Sequence, residues 1–383
     1  MKSFLRRTVQ LLRDAWIVAG LSLALLVALE VAYRVQASAR RMMRGDRTVV
    51  PELSPEHPNA REQWWTDIYA RRDSALYGKI RYDPFRGWWP LEHHSRAINV
   101  DANGLRVTIQ ARETDTASRG TRTVYLLGGS VMWGWVVRDS FTIPSLVAAE
   151  LHRRGYADVK VVNLAQSMFD LAQGFATLNR ELRLGRVPAI AVFLDGNNEI
   201  APPRQSGVVG RVLNEPLLAE RFARTETFGR ELLDVVRHSE LVRRIAVQNV
   251  ASNAGTVALC DTIAASYHRQ TRAGTAVARA FGFDAAFVWQ PMLATSGKRR
   301  TPWERSAARD TAWDAMVTRC TAMVDSTMRA DRTVQFASLS KLFDGDTTDV
   351  FLDDFGHMTE RANTTVAAAI ADLIAQRLGP PRK

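Results

Sequence analysis

Gly128–Gly129–Ser130 follows an unbroken apolar run, Thr123–Leu127 (TVYLL). Two glycines let the backbone turn sharply and approach a ligand. A serine at the mouth of the next loop then stands where a nucleophile is useful, but it is inert at its own pKa and needs a base. The chain offers one in FLDDFGHMTERAN, where His357 follows Asp353 and Asp354. In a tight turn a carboxylate three residues before an imidazole, here Asp354, can reach its far nitrogen, fix the tautomer and stabilise the imidazolium. Asp353 is the neighbouring candidate. A third cluster, Asp195–Gly196–Asn197–Asn198–Glu199, is dense in turn formers. Its alternative use is an amide donor aimed at a developing oxyanion. Taken singly, each cluster also has a plain reading as a loop, a turn, or an N-cap aspartate beside a surface histidine.

Five short apolar runs must position these residues: Thr123–Leu127, Val159–Leu164, Ala189–Leu194, Ala285–Gln290 and Val334–Leu339. Each is β-branched or aromatic and nearly unbroken in hydrophobicity, as in strands buried on both faces. Helix-like segments such as Ile143–Arg154, Ala172–Arg183 and Glu220–Val247 lie between most of them. The alternation predicts an α/β fold with a parallel sheet. Ligands bind such sheets beyond the carboxyl ends of the strands. Ser130, Met168, Asn198 and the Asp354/His357 pair all fall at that edge. A nucleophile after the first strand, a donor after the third and a base near the carboxyl terminus together form a hydrolase constellation.

The chain resembles the SGNH (GDSL-type) hydrolase superfamily over roughly residues 120–375. GGSVMWGWVVRDSFT is similar to its first block, where Gly-Gly-Ser often replaces Gly-Asp-Ser. VVNLAQSMFDLAQ resembles the second block, DGNNE the third (Gly-x-Asn-Asp/Glu) and DDFGH the fifth (Asp-x-x-His). The order and spacing of the blocks carry the resemblance more than any one of them. It implies a flavodoxin-like three-layer sandwich around a parallel sheet of about five strands. It also implies Ser130 as nucleophile, His357 as general base and Asp354 as its orienter. The oxyanion hole would be lined by the Ser130 N–H, the Asn198 side chain and a backbone N–H from the second block. There the family's glycine is replaced by Met168, which keeps an N–H but changes the loop's shape. Residues 79–108 resemble what precedes the first block in membrane-anchored bacterial members. That makes 79–379 one domain, with a helical insertion at 200–283.

The amino-terminal residues 1–14 carry Lys2, Arg6, Arg7 and Arg13, and Ala15–Val35 is apolar except for Glu30 and Arg34. About 20 residues suffice to cross the hydrocarbon core. A buried amphipathic helix would need a polar face, which is missing from Trp16 to Leu29. Residues 15–35 are therefore expected to span a membrane once, with Ala37 and Ala39 leaving signal cleavage open. Basic residues flank both sides, since Arg40, Arg41, Arg44 and Arg47 follow. The basic leader favours the amino terminus inside and the bulk outside, at a bacterial cytoplasmic membrane. Residues 36–78, polar and without sustained period, read as a stalk with one short helix.

The 2 cysteines, Cys260 and Cys320, exclude a disulfide-dense scaffold, a four-cysteine zinc site and an iron–sulfur cage. Both lie in helix-like segments flanking the fourth strand, and an oxidising compartment predicts that they pair. The formal charge of +11 is compatible with nucleic acid, an anionic surface or an arginine-rich genome. No basic block or recognition helix speaks for nucleic acid. The expected activity is a membrane-anchored serine esterase or O-acyltransferase working through a Ser130 ester, without metal or organic cofactor. Its expected partners are an acyl ester or acylated cell-surface glycan and the lipid bilayer. The alternative is a weak or inactive relative that binds glycan or assembles an envelope complex.

Overall fold

The computed structural model describes residues 2–43, 56–70, 80–110, 120–212, 215, 253–308 and 310–382. The chain divides into two compact units, Met1–Pro51 with Ala223–Val250 and Glu52–Phe222 with Ala251–Lys383. In the first unit, α1 (Lys2–Met43) is one helix of 42 residues. Its segment Gln10–Ala32, 23 residues with a mean hydropathy of 2.2, is long and apolar enough to cross a membrane. At 1.5 Å per residue it spans ~34 Å, against a hydrocarbon core of ~30 Å. Trp16, Leu21, Leu25 and Leu26 on it are exposed. The helix also takes in the basic residues expected as a separate leader. Leu, Lys and Arg are good helix formers, and no Gly or Pro precedes Gly20 to stop it.

The second unit is built on a five-stranded parallel sheet. All five apolar runs form it: β5 (Arg122–Gly128), β6 (Val159–Asn163), β7 (Ile190–Asp195), β8 (Asp284–Trp289) and β9 (Phe336–Ser338). They lie in the order β6-β5-β7-β8-β9, every neighbouring pair parallel. This is the flavodoxin-like order, in which the chain reverses direction beside the first strand and opens a crevice there.

Alternate residues of each strand enter opposite layers. Val124, Leu126, Val192, Leu194, Ala286 and Val288 join one core with α4 (Ile143–Arg153) and α10 (Glu360–Leu378). The other face carries Phe193 and Phe287, whose rings stack at 5.2 Å. Against it lie α5 (Leu171–Arg183) and α7 (Asn253–Phe281). Gly174 of α5 sits where a Cβ would be 3.3 Å from the Phe193 ring, and Gly274 of α7 where one would be 2.2 Å from Phe175 of α5 and 3.0 Å from the Phe287 ring of β8. These glycines let both helices approach the sheet closely. The α9 helix (Thr311–Ala330) packs on α7, and a Cys260–Cys320 disulfide joins the two with Cα atoms 4.6 Å apart.

Two expected boundaries need correction. Residues 56–70, assigned to the stalk, pack into this unit. His57 stacks on Trp65 at 4.1 Å and meets Trp303 edge-on, and Trp65 of α2 (Gln63–Ala70) is 2% exposed. Two tryptophans and a buried histidine need an apolar partner surface, which a stalk lacks. Likewise, the end of the 200–283 insertion is a core helix, since Ile263 and Tyr267 of α7 are buried. Glu220–Val247, expected to be helical, lies outside the described residues.

Residues 80–106 form two small hairpins, β1 (Ile80–Asp83) with β2 (Gly87–Pro90) and β3 (His93–His94) with β4 (Asn99–Val100). Residues 101–104 turn, with Asp101 Oδ1 accepting the Asn103 and Leu105 N–H groups.

Candidate active site

Ser130 opens α3 (Ser130–Trp133), directly beyond the carboxyl end of β5. Gly128 makes the turn at φ 144°, where a Cβ would lie 2.3 Å from the Leu194 carbonyl oxygen of β7. Only glycine lets the first strand pass so close to the third at its exit. As the first residue of a helix, Ser130 has a backbone N–H with no intrahelical acceptor.

Its hydroxyl meets His357, with Oγ and Nε2 2.7 Å apart. The other ring nitrogen, Nδ1, lies 2.5 Å from Asp353 Oδ2. Asp354, expected as the orienter, does not make this contact. The reason is local. Asp353 Oδ1 accepts the N–H groups of Phe355 and His357 at 3.0 and 3.1 Å, wrapping the turn around its own side chain. Gly356, at φ 91°, reverses the chain within that turn. The reversal returns the imidazole to the first aspartate rather than the second. Asp354 instead offers its carbonyl to Trp313 Nε1 at 3.2 Å. Its carboxyl is pushed up to about 6 by burial and by the charge of Asp353.

The Asn198 amide and the loop carrying Met168 lie beside Gly129–Ser130, since a Cβ on Gly129 would be 2.4 Å from Asn198 Nδ2 and 3.1 Å from the Phe169 carbonyl oxygen. Met168 adopts φ 66°, a left-handed conformation that glycine takes more readily. Its side chain packs on the Trp88/Trp89/Phe169 cluster, which offsets part of the backbone cost. Neither the Met168 nor the Ser130 N–H meets an acceptor among the described residues. Asn198 lies in the first turn of α6 (Asn197–Ser206). One of its two amide hydrogens goes to the Phe169 carbonyl at 2.8 Å, leaving the other to donate. A second tie runs between the same loops, from the Leu171 N–H to Glu199 Oε1 at 2.7 Å. Asp195 is buried and Glu199 partly so; their desolvation, with the charge of Asp170 nearby, raises both carboxyls well above their usual range.

Gly129 matters for the room it leaves. A Cβ there would sit 2.4 Å from Asn198 Nδ2 and 3.1 Å from the Phe169 carbonyl oxygen. The second glycine of Gly-Gly-Ser makes space for the amide of the third block, a role that the sequence alone does not disclose.

Three supports carried no motif. Buried Arg106 donates from Nε to Asp139 at 2.6 Å, from Nη1 to the Gly134 carbonyl at 3.1 Å and from Nη2 to the Val137 carbonyl at 2.9 Å. The loop so clamped contains Val136 at φ 62°, a conformation β-branched residues avoid. It also carries Trp135, whose ring centroid is 6.1 Å from that of His357. Glu304, fully buried, accepts the Val350 and Phe351 N–H groups at 3.0 and 3.1 Å and pairs with Lys298, fixing the segment that leads into Asp353. Burial pushes its carboxyl up, but Lys298 and the backbone donors outweigh that and hold it below its usual range. His57 is brought down to about 4 by burial, against the opposing pull of Asp353. It is therefore neutral at physiological pH. Each of these side chains acts through residues distant in sequence.

In block order, strand order and site geometry, the chain resembles the SGNH hydrolases. No family model matches the sequence, and no curated protein does. Solved structures do match. One is a lipase/acylhydrolase from Enterococcus faecalis, at 14% identity and a TM-score of 0.39, covering 69% of this chain and 100% of that one. An acetyl xylan esterase matches at 10% identity and a TM-score of 0.39, covering 66% of this chain and 99% of that one. A member of the lipolytic G-D-S-L family from Veillonella parvula matches at 12% identity and a TM-score of 0.36, covering 67% and 100%.

Proposed function

We propose that the chain is a membrane-anchored serine esterase or O-acyltransferase, with Ser130 as nucleophile, His357 as base and Asp353 as orienter. The observation that carries this reading is the continuous contact from Asp353 through His357 to Ser130, at 2.5 and 2.7 Å. His357 Nε2 takes the Ser130 proton as Oγ attacks an ester carbonyl, and Asp353 holds Nδ1–H and stabilises the imidazolium. The tetrahedral oxyanion receives the Ser130 and Met168 N–H groups and the free Asn198 amide hydrogen. The protonated imidazole then gives its proton to the departing alcohol. A water or a sugar hydroxyl, deprotonated by the same His357, releases the acyl group from Ser130.

The apolar segment of α1 and the basic residues before it support an anchored domain facing away from the cytoplasm. The positive charge suits an anionic, acylated cell-surface glycan as substrate. The free N–H at Met168 weighs against an inactive relative, because the substitution leaves the donor in place.

The test is a fluorophosphonate probe on the purified full chain in neutral detergent, followed by mass spectrometry after incubation with short acyl esters. Labelling of wild type but not Ser130→Ala, with a transient acyl mass on Ser130, is expected. A folded wild type that neither labels nor acylates would replace the enzyme with a glycan-binding protein.

A further inference from the structure

An open cavity lies at the end of the sheet away from Ser130, where β8 and β9 begin. It holds about 450 Å³, within the range of small-molecule sites. Its floor is apolar, with Met328, Val334 and Phe283 at 1%, 6% and 7% exposure. Its walls carry four exposed arginines from three places in the sequence: Arg279 near the end of α7, Arg329 near the end of α9 with Arg332 just beyond it, and Arg377 near the end of α10.

The countercharges do not balance them. Asp331 is committed elsewhere, bonded to His268 Nε2 at 2.7 Å and to the Thr333 hydroxyl at 2.6 Å. Asp284 is the one other acid on the wall. Arg279 spends one N–H on the Thr333 carbonyl at 3.4 Å, and Arg329 reaches Asp325 at 3.4 Å. Arg332 and Arg377 meet no acceptor among the described residues. Helix dipoles account for basic residues in last turns, hence for three of the four singly. They do not account for Arg332, nor for convergence on one cavity with most of the five N–H donors of each guanidinium unspent.

We propose that this cavity binds a small multivalent oxyanion of the phosphate or sulfate class, at a site separate from Ser130. Guanidinium forks match such oxygens in pairs. The inference does not depend on the catalytic reading.

The experiment is calorimetric titration of the detergent-solubilised full chain with inorganic pyrophosphate, sulfate and citrate. One saturable pyrophosphate site per chain is expected, with Kd raised at least tenfold by the Arg332→Gln/Arg377→Gln pair and unchanged by Ser130→Ala. The Arg269→Gln/Arg319→Gln pair, exposed residues outside the cavity, removes the same charge and should leave Kd within twofold. Equal weakening by both pairs would reduce the effect to the general positive field and overturn the site. Absence of saturable binding, or binding of citrate without pyrophosphate or sulfate, would overturn it as well.

Discussion

Replacing Gly129 by alanine should disable the oxyanion hole without touching the triad. The added Cβ would stand 2.4 Å from Asn198 Nδ2, whereas ordinary contact is about 3.5 Å. The amide must therefore retreat by about 1 Å. It cannot swing freely, because the same nitrogen is bonded to the Phe169 carbonyl at 2.8 Å, and that oxygen would itself lie 3.1 Å from the new carbon. Misplacement of a catalytic group by ~1 Å costs on the order of 10² in rate, and full loss of one oxyanion donor ~10²–10³. Gly129→Ala should thus lower kcat by roughly 10²-fold and leave KM nearly unchanged, because the donor serves charge that exists only in the transition state. The backbone at Gly129 (φ −84°, ψ −158°) suits alanine, so the protein should stay folded. Steady-state hydrolysis of a nitrophenyl acetate, with circular dichroism as the folding check, reads the effect. In an Asn198→Ala background nothing remains to displace, so the second change should cost under about threefold. If Gly129→Ala kept near wild-type turnover, or if the two losses multiplied in the double variant, the assignment of Asn198 as a donor held by this packing would be wrong.

Asp353→Asn should lower kcat by roughly 10³–10⁴-fold, in line with loss of a triad carboxylate elsewhere, while Asp354→Asn should stay within a few-fold in the same assay. Asp354→Asn should also change the pH dependence of stability. The folded-state value of this carboxyl is raised from 3.8 to about 6, so the folded protein holds a proton that the unfolded chain releases, and stability falls as pH rises through that window. The full shift would be ~3 kcal/mol, and solvent screening of a partly exposed group reduces it to ~1 kcal/mol. Denaturant melts should show the variant gaining that much on wild type at pH 7.5 and almost nothing at pH 4, and an equal gain at both would refute the burial argument. Reducing the Cys260–Cys320 bond, whose partners are 60 residues apart, should cost about 4 kcal/mol by the chain-entropy model. A denaturant midpoint unmoved by reductant, or two free thiols in unreduced protein, would remove it.

The sheet was legible because its central strands are buried on both faces, so hydrophobicity marked them without help from partners distant in sequence. Boundaries that depend on tertiary contact were not legible. His57 and Trp65 look like polar-stalk residues until Trp303, more than 230 positions later, supplies the surface they pack on. The same holds for Arg106, an unremarkable basic residue in sequence. In the fold it bonds two carbonyls and a carboxylate around Val136, and so fixes the loop that sets Trp135 beside His357. A buried cation with every contact made is costly to assemble, and the left-handed valine adds to that cost. Their combined use next to the nucleophile argues that the position of Trp135 is itself part of the site.

The choice between Asp353 and Asp354 shows where reading by spacing stops. Counting three residues back from His357 assumes that the intervening turn has right-handed backbone throughout. Gly356 breaks that assumption, since at φ 91° it takes a conformation open to glycine. Asp353 then satisfies the Phe355 and His357 N–H groups through one oxygen and the imidazole through the other. A carboxylate with three such donors is held in position. Asp354, half-buried beside another acid, has its carboxyl pushed up to about 6, and its engaged group is the carbonyl that accepts from Trp313 Nε1. Geometry selects Asp353, and Gly356, between the two aspartates and His357, is the sequence signal from which that choice could have been read.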